Sequence, residues 1–306
     1  MRAVICSAYG PPEVLKLVDV PTPAPRAGEV RIRVRATAVT SSDCYVRGLD
    51  LDPRYRLLAR LALGWKVPRQ PILGMVLSGE IDAVGSGVTR FAEGDLVFGF
   101  DRYRFGAYAH AVCWPQEALL VPRPANLTHA QAAAIPYGGL LALHVLRRAG
   151  VAAGQQILIY GASGAVGTSA VQLAATFGAQ VSGVCGASNV EFVRSLGARH
   201  VIDYTCEDFS NGSERYDIFF DAVGKRKSAS ALRKVGRVLA PGGRRVSVDD
   251  GAPKFVRNEL ELLADLATSG SVRPVIDRVY PLEDIVEAHR YVSSGHKRGN
   301  VIITVD

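Results

Sequence analysis

The stretch that decides the fold is residues 155–167, Gln-Gln-Ile-Leu-Ile-Tyr-Gly-Ala-Ser-Gly-Ala-Val-Gly. It begins with the apolar run of a buried strand, and an apolar helix pattern follows its glycines. A glycine-rich turn between a strand and a helix presents backbone N–H groups that can bind phosphate. Gly164 lets the backbone approach such a ligand, and Gly167 lets the helix pack on the strand. Ala162 departs slightly from the usual glycine pattern, but the strand–turn–helix context predicts a dinucleotide-binding turn.

The chain after this turn alternates between strands and helices. We predict strands at 156–160, 180–185, 200–203, 216–221 and 244–248, helices at 165–177, 190–196 and from 221 up to Leu239, and a turn at Gly242–Gly243. Strands that alternate with helices at this spacing are typical of a parallel, doubly wound (Rossmann) sheet. Such sheets bind their ligand outside the carboxyl ends of the strands.

The cofactor is selected at the end of the second strand, where an acid would hold the ribose hydroxyls of NAD. Residues 184–189 read Val-Cys-Gly-Ala-Ser-Asn and contain no acid, so the 2′-phosphate of NADP would not be repelled. The side chains of Ser188, Asn189 and Tyr204 could hydrogen-bond that phosphate, although no Arg or Lys stands in this stretch. NADPH is therefore favoured over NADH. The other cofactor contacts predicted in this domain are Ser163, Gly164, Ala165, Val166, Gly167, Cys185, Gly186, Val223, Val248 and Asp249.

The rest of the chain has a mostly β character. We predict strands at 3–7, 14–18, 29–38, 71–74, 81–84, 96–100, 108–112, 272–276 and 300–305, with helices at 258–268 and 282–293. Residues 29–38 alternate apolar and basic side chains, which is typical of a strand with one buried face. The domains are predicted as 1–122 with 272–306, and 123–271 between them.

Composition excludes several classes of protein. With 306 residues and 48% hydrophobic content, the chain can bury a core without disulfides. It has no apolar run long enough to span a membrane and no signal-peptide pattern at its start. Its five cysteines are scattered without a Cys-x-x-Cys pair, which favours reduced thiols. We therefore expect a cytoplasmic protein with no membrane partner.

The chain is basic, with 36 Lys and Arg against 29 Asp and Glu, a net charge of +7. The basic residues form no long run, and clusters such as Lys225–Lys227 are most simply solvated surface. Nucleic-acid modules interleave aromatic side chains with such clusters, and this chain does not, so we do not expect a nucleic-acid partner.

Short motifs along the whole chain resemble one family. They are Tyr9–Leu15, Gly28–Val30, Gly85–Val88, Phe91–Asp95, Gly106–Tyr108, Gly161–Gly167 and Leu239–Arg244. Together they resemble the medium-chain dehydrogenase/reductase superfamily, in its zinc-free, zeta-crystallin-like quinone oxidoreductase branch. The resemblance implies a mostly β, GroES-like catalytic domain beside the Rossmann domain.

The resemblance also implies that no metal is bound. Zinc-dependent relatives carry their ligands at positions that match Thr40, Met75 and, closely, Tyr137, and these side chains cannot make the Cys/His coordination of catalytic zinc. The four-cysteine lobe of those relatives is missing between Val88 and Cys113.

Without zinc, the implied reaction is hydride transfer to an acceptor that is already electrophilic, a quinone or an α,β-unsaturated carbonyl. Thr40, Asp43 and Tyr45 match the family's active-site pattern, with Thr40 in place of the usual Asn at the nicotinamide. Tyr45 could hydrogen-bond the acceptor oxygen or donate a proton, or it could be a packed aromatic on a strand. Asp43 could be an acid or base, or it could cap the following turn.

Three further positions are assigned from the family. Tyr137 is expected to face the nicotinamide and the substrate, with packing as the alternative. Met75 is expected to contact the substrate. Asn300 matches a family position near the cofactor, and a surface loop is the alternative.

Two departures from the family bear on specificity and assembly. Residues 49–70 look like an insertion, in which Asp52-Pro53 starts a helix with apolar Leu57, Leu58, Leu61 and Ala62 opposite Arg54, Arg56 and Arg60. This helix is expected to be a lid over apolar acceptors or a plain packing helix. Residues 248–258 are too short for the strand that usually extends the family's Rossmann sheet, so we expect a monomer, or a homodimer formed by another surface.

Two functional alternatives remain open beside an NADPH-dependent quinone or enone reductase. One is a specialised biosynthetic reductase of a single enone or imine. The other is an NADPH-binding sensor or RNA-binding protein with little turnover.

Overall fold

A computed structural model describes residues 1–50 and 53–306, and for residues 53–56 it describes the backbone alone. Within those residues, no helix combines the length and the apolarity that a bilayer crossing requires.

The described residues form fourteen strands. They are β1 (Arg2–Cys6), β2 (Leu15–Asp19), β3 (Glu29–Val39), β4 (Val76–Val84), β5 (Leu96–Phe100), β6 (Ala111–Pro115), β7 (Leu119–Pro122), β8 (Gln156–Tyr160), β9 (Gln180–Cys185), β10 (His200–Asp203), β11 (Tyr216–Asp221), β12 (Leu239–Ser247), β13 (Ile276–Pro281) and β14 (Asn300–Thr304).

They also form nine α-helices and several single 3₁₀ turns. The helices are α1 (Ser41–Gly48), α2 (Pro53–Leu63), α3 (His129–Ala133), α4 (Pro136–Ala149), α5 (Ala165–Thr176), α6 (Val190–Ser195), α7 (Ala229–Leu232), α8 (Arg257–Thr268) and α9 (Ile285–Ser294).

The chain divides into two compact units. The first unit comprises residues 1–136 and 276–306, and the second unit comprises residues 137–275. The first unit continues past the domain border proposed at residue 122, because α3 packs on β3 and β4 of its main sheet.

The first unit is built on a seven-stranded sheet. Its strand order is β13-β14-β3-β4-β5-β7, with β6 also paired to β3, and a separate β1-β2 ribbon accompanies it. The central strand β3 buries Val30, Ile32 and Val34, while Arg31 and Arg33 alternate with them and form ion pairs with Asp82. This confirms the strand with one buried face that the alternation predicts.

The second unit is a five-stranded parallel sheet of order β10-β9-β8-β11-β12. Two strands, β9 and β10, lie on one side of β8, and two, β11 and β12, lie on the other, so the order in which strands are added to the sheet reverses between β8 and β11. A crevice opens at such a reversal, outside the carboxyl ends of the strands. Within the described residues the sheet ends at β12, and no strand follows between residues 248 and 258, as expected.

Two strands expected in the N-terminal half were placed wrongly. Residues 71–74 form only an isolated bridge between Ile72 and Ile5, because Gly74 turns the chain with a positive φ of 93°. The strand expected at 108–112 begins at Ala111, because Tyr108 donates its backbone N–H to Leu73 O and only later residues pair with β3.

Two expectations in the C-terminal half were also wrong. The strand expected at 272–276 is β13, which starts at Ile276, because the N–H of Arg273 bonds the Gln172 side chain instead of a strand. The helix expected up to Leu239 is the short α7. The turn expected at Gly242–Gly243 is an irregularity inside β12, where the pairing with β11 shifts register.

Candidate active site

The glycine-rich turn joins β8 to α5 in the second unit. Gly161 has a φ of 82°, and a Cβ there would lie 2.3 Å from Val223 Cγ2. A Cβ on Gly167 would lie 2.1 Å from Gly161 O, so the first turn of α5 packs directly on the turn's backbone. Both glycines are therefore required by the protein's own packing.

Gly164 differs, because its surroundings leave room for a side chain. It is the N-cap of α5, its backbone is extended, and a Cβ there would meet only Gly161 O, at an ordinary 3.6 Å. As a glycine, Gly164 supplies no side-chain cap to this helix end. The first N–H groups of a helix have no acceptor within the helix, and such groups are suited to the phosphates of a dinucleotide.

The predicted cofactor residues of the second unit gather at the carboxyl ends of the parallel strands. Cys185 ends β9 and is buried, and its carbonyl accepts from the N–H of Tyr204 at 3.0 Å. The Tyr204 hydroxyl lies 3.5 Å from where a Cβ on Gly186 would stand. Ser188 is exposed on the 3₁₀ turn that follows β9. Ser163, Ala165 and Val166 belong to the glycine-rich turn and the start of α5.

Asp221 is a residue that the sequence reasoning missed. It ends β11, is fully buried, and accepts from the N–H groups of Val223 and Gly224, each at 3.1 Å. Its other oxygen accepts from the hydroxyls of Ser228 and Ser247 at 2.8 and 2.9 Å. The signal that could have found it is an acid directly after the apolar run Ile218–Phe220 at the end of a strand.

Asp249 also orders this edge. Its carboxylate accepts from the N–H of Lys225 at 2.7 Å, and the N–H of Val248 donates to Asp221 O at 3.1 Å. The loops after β11 and β12 are thus tied together by Asp221 and Asp249, which leaves Val223 held against Gly161.

A cavity of about 360 Å³ opens beside Tyr204. Its lining includes Tyr160, Phe209, Asp208 and Lys234, and the Lys234 ammonium lies 2.6 Å from the Asp208 carboxylate. This ion pair, beside the negative Glu207, makes the cavity more suited to an uncharged ring than to a phosphate.

In the first unit, Thr40 and Asp43 form a capping box at the start of α1. The Thr40 hydroxyl donates to Asp43 Oδ2 at 2.6 Å and accepts from the N–H of Asp43 at 3.1 Å. The N–H of Thr40 also donates to Asp43 Oδ2, at 2.9 Å. The single hydroxyl proton of Thr40 is therefore committed within the helix cap.

Asp43 is fully buried, and burial raises the pKa of its carboxyl to about 6 against the opposing bonds from Thr40 and Gly74. The N–H of Gly74 donates to Asp43 Oδ1 at 3.2 Å, which ties α1 to the chain before β4. Of the two interpretations left open for Asp43, this geometry is that of the cap.

The other site residues predicted in the first unit are spread over its elements. Tyr45 lies on α1, half-buried, and not on a strand. Met75 and Asn300 are both buried, just before β4 and at the first position of β14. Tyr137, in the second unit, is half-buried near the start of α4.

Arg47 on α1 and His289 on α9 form a buried polar pair. The Arg47 guanidinium lies 3.1 Å from His289 Nδ1 and 3.2 Å from Gly10 O. Because Arg can only donate, Nδ1 accepts and the imidazole proton is on Nε2, an atom that is buried without a partner among the described residues. Burial lowers the pKa of His289 to about 3, with the Arg47 charge as a second cause, so the ring is neutral.

Comparison with known proteins places this architecture in a family. Residues 26–125 match the alcohol dehydrogenase GroES-like domain, and residues 196–303 match the family described as zinc-binding dehydrogenase. The chain is 32% identical to a 2-methylene-furan-3-one reductase of Solanum lycopersicum, over 99% of this chain and 79% of that one. An NADPH-dependent alkenal/one oxidoreductase of Arabidopsis thaliana is 31% identical over the same shares. The quinone oxidoreductase structure from Coxiella burnetii superposes with a TM-score of 0.85 at 29% identity, covering 100% of this chain and 99% of that one.

The chain belongs to the medium-chain dehydrogenase/reductase superfamily, in its quinone oxidoreductase branch. This confirms the family resemblance and the predicted α/β fold, with a GroES-like domain and a parallel sheet.

The zinc positions of this superfamily carry other chemistry here. The Thr40 hydroxyl is bonded within the α1 cap, and Met75 contributes a buried thioether. Across the described ranges, 1–50 and 53–306, no three His, Cys, Asp or Glu side chains group as metal ligands.

The insertion at residues 49–70 contains α2, as expected, although Asp52 lies outside the described residues. The leucines of the expected apolar face, Leu57, Leu58 and Leu61, are exposed, so this face does not pack on the protein.

Proposed function

We propose that this protein transfers hydride from NADPH to a quinone or an α,β-unsaturated carbonyl without a metal ion. The observation that carries the proposal is the glycine N-cap of α5, where a Cβ would find room, next to the point where the order of the parallel strands reverses. The NADPH-dependent alkenal/one oxidoreductase among its relatives supports the choice of cofactor and acceptor.

The residues that would hold the cofactor follow from their placement. The backbone N–H groups around Gly164 would bind the pyrophosphate, and Ser188, Asn189 and Tyr204 would bind the 2′-phosphate with neutral hydrogen bonds. Val223, Val248 and Asp249 would border the same edge. Bound there, NADPH would supply a hydride.

The chain's own contribution to the reaction would be to hold the acceptor and stabilise its oxygen. A conjugated acceptor places negative charge on that oxygen as hydride reaches its carbon, so no Lewis acid is required. Tyr45 would hydrogen-bond the oxygen and deliver a proton, with water as the substitute. Thr40 is assigned the structural role of the α1 cap, since its hydroxyl proton is already donated to Asp43.

Assembly and compartment complete the proposal. All five cysteines are free thiols, which supports a reducing compartment such as the cytoplasm.

The exposed edge strand β12 carries Arg244 and Arg245 beside its irregularity, and charged, irregular edges resist pairing with a second copy. We therefore propose a monomer, or a homodimer that uses another surface.

The test is oxidation of NADPH and of NADH against a panel of quinones, enones and simple ketones. Turnover of quinones or enones but not of ketones, faster with NADPH, is the expected result. Ketone reduction that chelators abolish would overturn the zinc-free proposal. Tight NADPH binding without turnover of any acceptor would favour a specialised biosynthetic substrate or a binding protein.

A further inference from the structure

The helix α2 and the turn after it expose an apolar surface. We call this surface the 57–67 patch; it consists of Leu57, Leu58, Leu61, Trp65 and Val67. Their exposed fractions are 58%, 63%, 56%, 56% and 43%, which makes five of the eleven large hydrophobic residues recorded as exposed in the described chain. Scattered exposed hydrophobic residues are normal, but a contiguous group marks an interaction surface.

Polar contacts tie the helix to the turn after it and to Tyr9. Arg60 donates to the carbonyl of Trp65 at 2.8 Å, and Tyr9 donates its hydroxyl to the carbonyl of Gly64 at 2.9 Å. Arg69 donates to the carbonyl of Leu61 at 2.8 Å, and the Arg60 guanidinium lies 6.0 Å from the Tyr9 ring centre. The Arg60 side chain is thus half-buried against Trp65 and Tyr9, whereas Leu57, Leu58 and Leu61 are exposed, the reverse of an ordinary surface helix.

The surrounding charge identifies the partner. Residues 53–79 contain five basic residues, Arg54, Arg56, Arg60, Lys66 and Arg69, and no acidic residue. A second copy of the chain would bring the same positive charges onto this surface, which disfavours self-association. A nucleic acid would match the charge but would leave the leucines without an apolar environment. An anionic lipid surface supplies both the negative charge and the apolar layer.

We propose that the 57–67 patch docks this protein on an anionic lipid bilayer, with the leucines and Trp65 at the headgroup boundary and the exposed Lys66 and Arg69 near the lipid phosphates. The expectation of no membrane partner rested on the lack of an apolar span, which a helix that lies on the surface does not need. The proposal involves no reaction step, so its test is independent of the enzymatic assay.

The chain carries its own probe for this test. It has two tryptophans, of which Trp65 is exposed and Trp114 is fully buried, with its indole N–H bonded to Phe105 O. Titration with vesicles of phosphatidylcholine and phosphatidylserine at 7:3 should shift the Trp65 emission to shorter wavelength and sediment the protein with the lipid. Pure phosphatidylcholine vesicles should bind at least about fivefold more weakly, the factor that corresponds to one basic residue near an anionic surface.

Leu58→Asp/Leu61→Asp should abolish vesicle binding while the fold persists, because both side chains are more than half exposed. The matched control is Val256→Asp/Val279→Asp, which adds the same charge at two exposed apolar positions outside the patch and should lower binding far less. Lys66→Glu, which changes the charge by two units at an exposed position, should weaken binding to the anionic vesicles about 25-fold and supplies a second test if the double variant does not fold.

Three outcomes would overturn the proposal. The first is equal binding of the patch variant and its control, and the second is equal binding to neutral and anionic vesicles. The third is a Trp65 shift that depends on protein concentration without lipid, together with dimers in sedimentation velocity that the patch variant lacks; this would assign the surface to a second copy of the chain.

Discussion

Gly164 and Gly167 both belong to the glycine-rich turn before α5, but they differ in what the fold demands of them. Gly167 is needed by packing, since a Cβ would lie 2.1 Å from a backbone oxygen. Gly164 has room for a side chain and an ordinary extended backbone. A side chain at position 164 is therefore compatible with the fold, so a substitution there can test the proposed phosphate contact separately from folding.

Gly164→Asp should therefore separate binding from folding. Asp is a favourable N-cap residue, so the free energy of unfolding should stay within about 0.5 kcal/mol of the wild type or rise. The carboxylate would repel the pyrophosphate, so the Kd for NADPH should rise at least about 100-fold. Urea unfolding and fluorescence titration measure the two quantities. Gly164→Asn, with the same shape and no charge, is the control, and an unchanged Kd in the Asp variant would contradict the turn's assignment.

Ser188 tests the recognition of the 2′-phosphate, for which the turn after β9 offers no cation of its own. Ser188→Arg adds one at an exposed position and should raise the preference for NADPH over NADH about tenfold, the effect of one charge-assisted pair. Ser195→Arg adds the same charge at an exposed position on α6 and serves as the control. An equal change of preference in both variants would place the phosphate elsewhere.

His289 should make stability depend on pH. Its pKa is lowered to about 3, so the unfolded chain binds the proton more tightly and stability is lost as pH falls below the ordinary value of 6.5. Asp43, with its pKa raised from 3.8 to about 6, acts in the opposite direction. Its protonated carboxyl stabilises the folded state at low pH, and this stabilisation is lost as the pH rises from 3.8 to about 6.

His289→Asn keeps an acceptor for Arg47 and removes the imidazole. As the pH falls from 6.5 to 4, the wild type should lose about 3 kcal/mol of unfolding free energy that the variant keeps, so the difference between the two proteins should shift by that amount in favour of the variant. Urea unfolding across that range measures the difference, with the exposed His200→Asn as the control. Parallel curves for wild type and His289→Asn would show that the buried ring does not resist protonation.

At the scale of elements, the capping box of α1 connects the helix to the rest of the first unit. Thr40 and Asp43 satisfy each other's backbone N–H groups, and Asp43 also accepts from Gly74. The same two residues match the active-site pattern of the family, so position in a motif alone does not distinguish a cap from a ligand contact.

Thr40→Val keeps the shape of the side chain and removes the hydroxyl. It should lower the free energy of unfolding by about 1–2 kcal/mol, because the N–H of Asp43 loses its acceptor. Thr40→Ser should stay near wild type, and urea unfolding compares the three proteins. A Thr40→Val variant with wild-type stability but weaker NADPH binding would return Thr40 to the cofactor site.

At the scale of the whole molecule, the proposed zinc-free reaction predicts both the metal content of the purified protein and the response of its activity to a chelator. Elemental analysis of the purified protein should find less than about 0.1 zinc per chain, and dialysis against a chelator should leave the turnover of enones unchanged. A zinc-dependent relative treated in the same way is the control. Stoichiometric zinc, or activity lost to the chelator and restored by zinc, would contradict the prediction.

The sequence determined the elements whose signals are local. The strands β5, β8, β9, β10 and β11 have their predicted bounds, because each is a short stretch built around neighbouring apolar residues. The helix α5 and the strand β3 were predictable because the pattern of apolar residues within each segment indicates its secondary structure. The same reasoning predicted the parallel sheet and the absence of a sixth strand beyond β12, since chain length limits what a connection can hold.

Only the tertiary structure decided the rest, because it depends on contacts between distant residues. The bond of the Arg273 N–H to Gln172, together with Pro274, which has no N–H to donate, keeps residues 272–275 out of a strand. The pairing of Arg47 with His289 joins residues 242 apart, and Asp221 collects donors from two loops. The outward direction of the α2 leucines was likewise invisible, since an amphipathic pattern states that a helix has two faces, and only its neighbours decide which one meets the solvent.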